Sequence, residues 1–438
     1  MDCASYEKEI DVFEGSKIAF GAIDSELALG NSRIRVQTPR VSQPDVPPPF
    51  NPLAAAGIFL RLGLTSFGGP IAHLGYFRTE FVERRRWVSD ERFAELIAIC
   101  QFLPGPASSQ VAFSVGLLRG GLLGGLIAAA GFTLPSAIVM IAFALGLQHL
   151  AGATTPGWLR GLQLAAVAVV AQAVWAMAQK LSFERVRASI TFVSVAVAAC
   201  VGGGSGQIVA LVAGTALGFL LIRSGIQIPA DVLAPPKLLP PSIPLVLFGL
   251  LLFGLPWIAQ ATGSIWLQTF SHFFRSGALV FGGGHVVLPL LHDAVVGSGW
   301  ISDSNFLSGY GLAQALPGPV FTFAGFLGAA GQPGGWQGGI WTLLAIFLPG
   351  WLLVLGVLPL WQRVSRNERV RAGLAGANAS VVGILAVAFY SPVFTSSVHA
   401  PTDFAMAALL FGLLIVWKAP SWLVVLLAAI LGQIFIRA

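Results

Sequence analysis

The chain has 438 residues, of which 55% are hydrophobic and 10% charged, with a net charge of +6 and a mean hydropathy of +0.80. A soluble domain carries about 25% charged residues to cover itself with polar surface, so this composition excludes one and predicts an all-α, polytopic transmembrane bundle. The basic excess lies in short Arg clusters between apolar runs, the pattern of the positive-inside rule, which argues for membrane lipid and against nucleic acid as the partner.

In chain order, residues 1–52 mix acids, bases, Ser and Pro up to Pro47-Pro48-Pro49 and read as a flexible extramembrane tail without the apolar core of a signal peptide. A first half spans 53–223, a Pro-rich linker 224–244 and a second half 245–438. Stretches apolar enough to cross about 30 Å of hydrocarbon are expected near 122–147, 160–179, 188–204, 207–222, 243–260, 337–361, 372–390, 403–418 and 420–436. Cys3, Cys100 and Cys200 stand alone, so neither a metal nor another cofactor nor a disulfide is expected, and Cys100 and Cys200 read as small buried hydrophobes.

The two halves repeat. A shift of 214 residues lays Phe59-Leu60-Arg61 on Phe273-Phe274-Arg275 and Phe67-Gly68-Gly69 on Phe281-Gly282-Gly283. With one residue removed, Trp87 falls on Trp300, Ser89-Asp90 on Ser302-Asp303 and Gln101 on Gln314. Leu103-Pro104-Gly105-Pro106 then meets Leu316-Pro317-Gly318-Pro319, and Ser109 meets Thr322. The loop after the first Phe-Gly-Gly carries Arg78, Arg84, Arg85, Arg86 and Arg92, while its counterpart, His292 to Asn305, has no Lys or Arg. The first loop is therefore expected in the cytoplasm and its twin outside, which makes an inverted repeat, the architecture of secondary transporters with a site near the midplane. Arg363, Arg366, Arg369 and Arg371 are also expected inside, which balances only if the Phe-Gly-Gly and Pro-Gly-Pro segments are broken or re-entrant helices.

Each Pro-Gly-Pro should break its helix, since proline removes an N–H and clashes with the preceding turn. Pro106 and Pro319 suit the first position of a new half-helix, whose free N–H groups and partial positive charge favour an anion; Ser109 and Thr322 add hydroxyl donors. A packing kink is the alternative. Gly68, Gly69, Gly282 and Gly283 allow close approach of backbone or ligand. Arg61 and Arg275 lie in apolar stretches, where a guanidinium costs at least about 2.5–3.5 kcal/mol at a helix centre and by default marks function. Its planar fork suits a tetrahedral oxyanion, and two would neutralise a dianion; snorkelling to the interface is the alternative. Gln101 and Gln314 are candidate donors to an oxyanion or caps of the broken backbone. Glu80, Glu95, His73 and His285 are the titratable residues nearest these motifs and the candidates for a coupling proton. Trp87 and Trp300 read as interfacial anchors.

These motifs, together with Phe281-Gly282-Gly283-Gly284-His285-Val286-Val287-Leu288-Pro289-Leu290, resemble the chromate ion transporter family, of the long two-domain type, from residue 53 to the end. The resemblance implies a bacterial inner-membrane protein that expels chromate and confers resistance, with sulfate as a competitor; a homodimer is left open. The same fold moving sulfate or another divalent oxyanion, in either direction, is the main rival. A membrane enzyme is disfavoured because the six His are scattered and no metal or nucleophile motif is present. An anion channel is the other rival. There is no G-x-x-x-x-G-K-[ST] segment to bind a nucleotide.

Overall fold

The computed structural model describes residues 50–149, 156–222, 239–281, 284–361, 364 and 367–435. Most of the expected tail and linker lie outside them, as do Gly282, Gly283, Arg363 and Arg366.

Among the described residues the regular structure is entirely helical. The first half opens with α1 (Pro52–Thr65), capped by the Asn51 side chain, which accepts from the Leu53 and Ala54 N–H groups. Gly68 and Gly69, at φ of 96° and 78°, turn the chain into α2 (Gly69–Arg78). Then come α3 (Asp90–Phe102), α4 (Ala107–His149), α5 (Gly157–Leu181), α6 (Arg185–Val201) and α7 (Gly203–Leu221). A connecting helix, α8 (Ser242–Thr262), leads into the second half. That half consists of α9 (Ile265–Ala278), α10 (Val287–Val295), α11 (Asp303–Ala315), α12 (Phe323–Ala330), α13 (Gly335–Val357), α14 (Glu368–Ala388), α15 (Pro401–Ile415) and α16 (Ser421–Phe435).

The repeated Ser-Asp pair has a local cause. Ser89 Oγ accepts from Arg92 N and Ser302 Oγ from Asn305 N, both at 3.3 Å, so each is the N-cap of the helix that precedes a Pro-Gly-Pro. Both Pro-Gly-Pro segments are non-helical, with Gly105 at φ 123° and Gly318 at φ 91°. Gly120 and Gly121 break α4 into limbs 107–119 and 122–149, and the break between α12 and α13 is its second-half counterpart.

Among the described residues six helices are long and apolar enough to cross a membrane, where the sequence suggested nine crossings. The segments expected at 188–204, 403–418 and 420–436 form helices of 17, 15 and 15 residues. At 1.5 Å per residue these reach only about 22–26 Å. Gly202 and Gly203, both at positive φ, end the first, and Lys418, at φ 51°, follows the second.

The halves meet in a reciprocal exchange. Gly105 N–H donates to Val280 O, and Gly318 N–H donates to Ser66 O, both at 2.8 Å. Val280 and Ser66 occupy the same position of the repeat, as do the two glycines, so the contact has the self-complementary form of a two-fold interface. Behind it, α1 packs on α4 at Gly63, where a Cβ would meet the Gly131 and Phe132 carbonyls at 2.7 and 2.8 Å. The equivalent Gly277 packs on Ile346 O and Pro349 of α13. Pro135 and Pro349, inside α4 and α13, sit at matching positions beside the seam.

Gly318→Ala would force a left-handed φ on a methyl-bearing residue and set that methyl 3.0 Å from Ser136 Oγ and 3.2 Å from Phe132 O. Such strain costs about 1–3 kcal/mol, so the thermal midpoint in detergent should fall. Gly57→Ala, with nothing within 4 Å of the new Cβ, should hold or raise the midpoint. Equal midpoints for the two variants would contradict the packing described.

Candidate functional site: the helix breaks and the Arg61 cleft

The first break is polar and buried. Ser108, Ser109 and Gln110 follow Pro106 and are all buried. Ser109 Oγ has no hydrogen-bond partner. Gln110, which the sequence reading did not single out, donates through Nε2 to Pro104 O (2.9 Å) and Gly350 O (3.4 Å), while its Oε1 is unpartnered. It staples the break to α13. The only signal for it in the sequence is a polar residue one step past Ser109 in an apolar helix.

The second break is chemically different. Thr322 Oγ1 donates to Pro319 O at 2.8 Å, and Val320, Phe321 and Phe323 surround it. Gln101 is exposed, whereas Gln314 is buried with its Nε2 unpartnered. The paired motifs share a backbone but not an environment.

A cleft of roughly 620 Å³ opens beside α1 and α2, lined by Arg61, Thr65, Ala72, Tyr76, Glu80 and Arg84 among others. Arg61 is exposed to it. Glu80 is buried and accepts from Arg85 Nε and Arg84 Nη1, so this candidate proton carrier is engaged in ion pairs. Farther out, Arg78 donates to Asp90 at 2.8 Å and to Glu83; the Asp90 hydrogen bond raises the pKa of its guanidinium above the usual arginine range. Trp87 stacks on Phe81 at 5.5 Å and lies under the guanidinium groups of Arg85 and Arg119, at 5.7 and 5.6 Å. The basic loop is thereby folded against the mouth of the cleft.

No second-half residue lines this cleft. Arg275 is half-buried and within electrostatic reach of His272, which also feels Asp293. Asp293 lies against Gly203 and Gly204 at the start of α7, and the His272 ring meets Trp300 edge-on at 5.6 Å. The two arginines thus occupy equivalent but separate surroundings. Of the other titratable candidates, Glu95 is buried on α3 and His73 is buried with its ring edge-on to Phe132 at 5.4 Å. His285 Nδ1 lies 2.8 Å from Tyr310 Oη, and the Tyr310 ring lies edge-on to Phe323 of the second break. Gly68 is exposed and Gly69 half-buried. Cys100 is buried, but Cys200 is exposed on α6, because α6 presents much of its surface outward. No group of three metal-ligating side chains occurs among the described residues.

Comparison with known proteins agrees with the duplicated architecture. The family model described as "Chromate transporter" matches twice, over residues 53–219 and 267–433, two segments displaced by the same 214 residues as the Phe-Gly-Gly motifs. α8 falls between them. A chromate transport protein of Pseudomonas aeruginosa is 31% identical over 354 residues, covering 78% of this chain and 80% of its own. A probable chromate transport protein of Synechococcus elongatus is 30% identical, covering 86% and 94%. An uncharacterized transporter of Methanocaldococcus jannaschii is 26% identical, covering 86% and 93%. No solved structure matches. With two copies of the family's domain, six apolar spanning helices and relatives that align along most of its length, this chain is a multi-pass membrane protein that belongs to the chromate transporter family.

Proposed function

We propose that this protein is a secondary transporter that exports chromate across a bacterial cytoplasmic membrane and so confers resistance, with sulfate as the competing near-isostere. The observation that carries the reading is the Arg61 cleft, whose lining joins Arg84 of the Arg-rich loop to Thr65, one residue from the Ser66–Gly318 hydrogen bond between the halves. By the positive-inside rule that loop is cytoplasmic, the side on which a resistance protein meets its substrate.

Arg61 receives the anion in the cleft, and the half-helix after Pro106, with Ser109 at its first turn, is the inner station. Arg275 serves the opposite face, so a dianion meets the two guanidinium groups in turn rather than together. The inverted halves, 53–223 and 245–438, rock about the seam, which leaves the anion exposed to one side at a time. Moving one charge through 100 mV is worth about 2.3 kcal/mol, so a dianion leaving a negative interior gains about 4.6 kcal/mol. The potential is a sufficient drive, and the protein acts as a carrier rather than an enzyme.

Orientation is tested by thiol labelling in intact cells. A Cys placed within 292–305 should react with an impermeant reagent from outside, and one within 79–86 only after permeabilisation. Reaction of both from one side would contradict the inverted arrangement.

Transport is tested with labelled chromate in everted vesicles. Uptake should fall when the potential is collapsed and when sulfate is added. Arg61→Gln should weaken apparent affinity roughly tenfold to a hundredfold per folded protein, since a charge-assisted contact is worth about 1.5–3 kcal/mol. Arg61→Lys should retain part of it, keeping the charge but losing the fork. Normal affinity in Arg61→Gln, with lowered expression alone, would return this residue to an interfacial anchor.

A further inference from the structure

We propose that Ser66 and His73 form a proton-linked oxyanion subsite beside the Arg61 cleft, where the imidazole takes up one proton as the anion binds. The proposal rests on the transport reading above and names a coupling site within it.

The cleft lining includes Thr65 and Ala72. The residue after each is polar and sealed: Ser66 is 0% and His73 1% exposed. Ser66 Oγ and both ring nitrogens of His73 lack a partner at hydrogen-bond geometry, with the Ser66 backbone beside the ring. Leaving such groups unsatisfied costs about 1–3 kcal/mol each, and native proteins satisfy nearly all of them. Orphaned side-chain atoms on two neighbouring residues, each next in sequence to a residue that lines the cleft, mark a place that a ligand completes.

The surroundings suit an anion. Ser66 O accepts the Gly318 N–H at 2.8 Å, which puts both side chains beside the second break, where the chain turns toward the half-helix that follows Pro319. Phe132, which packs on the His73 ring, also forms part of the wall around Gly318, together with Ser136 Oγ. The charged groups lining the cleft are Arg61, Glu80 and Arg84; α4 brings the Ser136 hydroxyl to Gly318 and, farther along, Arg119 over Trp87, and the second break carries no charge. The second half has Val280 and Val287 at the positions equivalent to Ser66 and His73. The subsite therefore occurs once, not twice.

A neutral imidazole in this setting has no acceptor for a second N–H. A tetrahedral dianion resting against the Ser66 hydroxyl supplies one, and a nearby opposite charge favours the protonated ring. The proton comes from water in the cleft onto a ring nitrogen, no covalent bond of the anion changes, and the bound pair carries one negative charge instead of two. Linkage is reciprocal: whatever the anion adds to the proton affinity, the proton adds to the anion affinity.

The test uses the purified full-length protein in weak buffer with chromate as the probe. The wild type should take up about one proton per anion bound, read with a pH indicator, and His73→Gln none. The apparent affinity of the wild type should weaken by up to about tenfold per pH unit above the range in which the ring is charged, relative to His73→Gln; the protonation of chromate itself is common to both and cancels. Ser66→Ala should lose about tenfold in affinity and retain the proton uptake. If His73→Gln does not fold, His73→Asn carries the same comparison. Proton uptake and a pH profile that are the same in wild type and variant would overturn the subsite alone, whereas a wild type that neither binds nor moves chromate would overturn the transport reading with it.

Discussion

Two hydrogen bonds, Gly105 N–H to Val280 O and Gly318 N–H to Ser66 O, are the constraint on which the rest of the molecule depends. Backbone polar groups inside a membrane must find partners within the protein, because hydrocarbon offers none. Each Pro-Gly-Pro breaks a helix and frees such groups, and the Gly68-Gly69 entry does the same. The chain solves both problems at once by pairing the break of one half with the entry of the other. Only glycine adopts the left-handed φ of 123° and 91° found at the donor positions without strain. Because both partners of each bond recur in the repeat, satisfying one bond by symmetry satisfies the other, and the two-fold arrangement follows. The close packing of α1 on α4 and of α9 on α13, at Gly63 and Gly277, brings the seam within reach.

On this symmetric frame the side chains have diverged. Ser109 Oγ is unpartnered where Thr322 Oγ1 is satisfied by Pro319 O. Gln101 is exposed where Gln314 is buried. His73 and Ser66 face valines across the repeat, and five arginines around the first loop face none in 292–305. The frame is thus two-fold in backbone and one-sided in charge.

Much of this was legible in the sequence because the constraint is written in unusual residues. Proline, positive-φ glycine and N-cap serine each have few substitutes, so Pro104-Gly105-Pro106, Gly68-Gly69 and Ser89-Asp90 kept their pattern through the duplication, and the breaks lie where that pattern puts them. Crossing number was harder to read: the apolar runs near 188–204, 403–418 and 420–436 contain or adjoin Gly202, Lys418 and Pro420, yet hydropathy continues through such residues while the helix stops. Gln110 and Ser66 were missed because a lone polar residue in an apolar run carries no periodicity, and their meaning comes from Gly350 and Gly318, more than 200 residues away. Arg61 and Arg275 could be paired by alignment, but alignment is silent on whether equivalent residues converge, and a two-fold axis takes them to separate surroundings.

The most direct test of a path that runs from the Arg-rich loop to the seam is accessibility at Thr65, a wall residue of the cleft next to Ser66. In a chain whose native cysteines are replaced, Thr65→Cys should react with an impermeant thiol reagent from the cytoplasmic side of everted vesicles, and chromate should slow that reaction. Reaction from the external side alone, or a rate that chromate leaves unchanged, would contradict a substrate path through the Arg61 cleft.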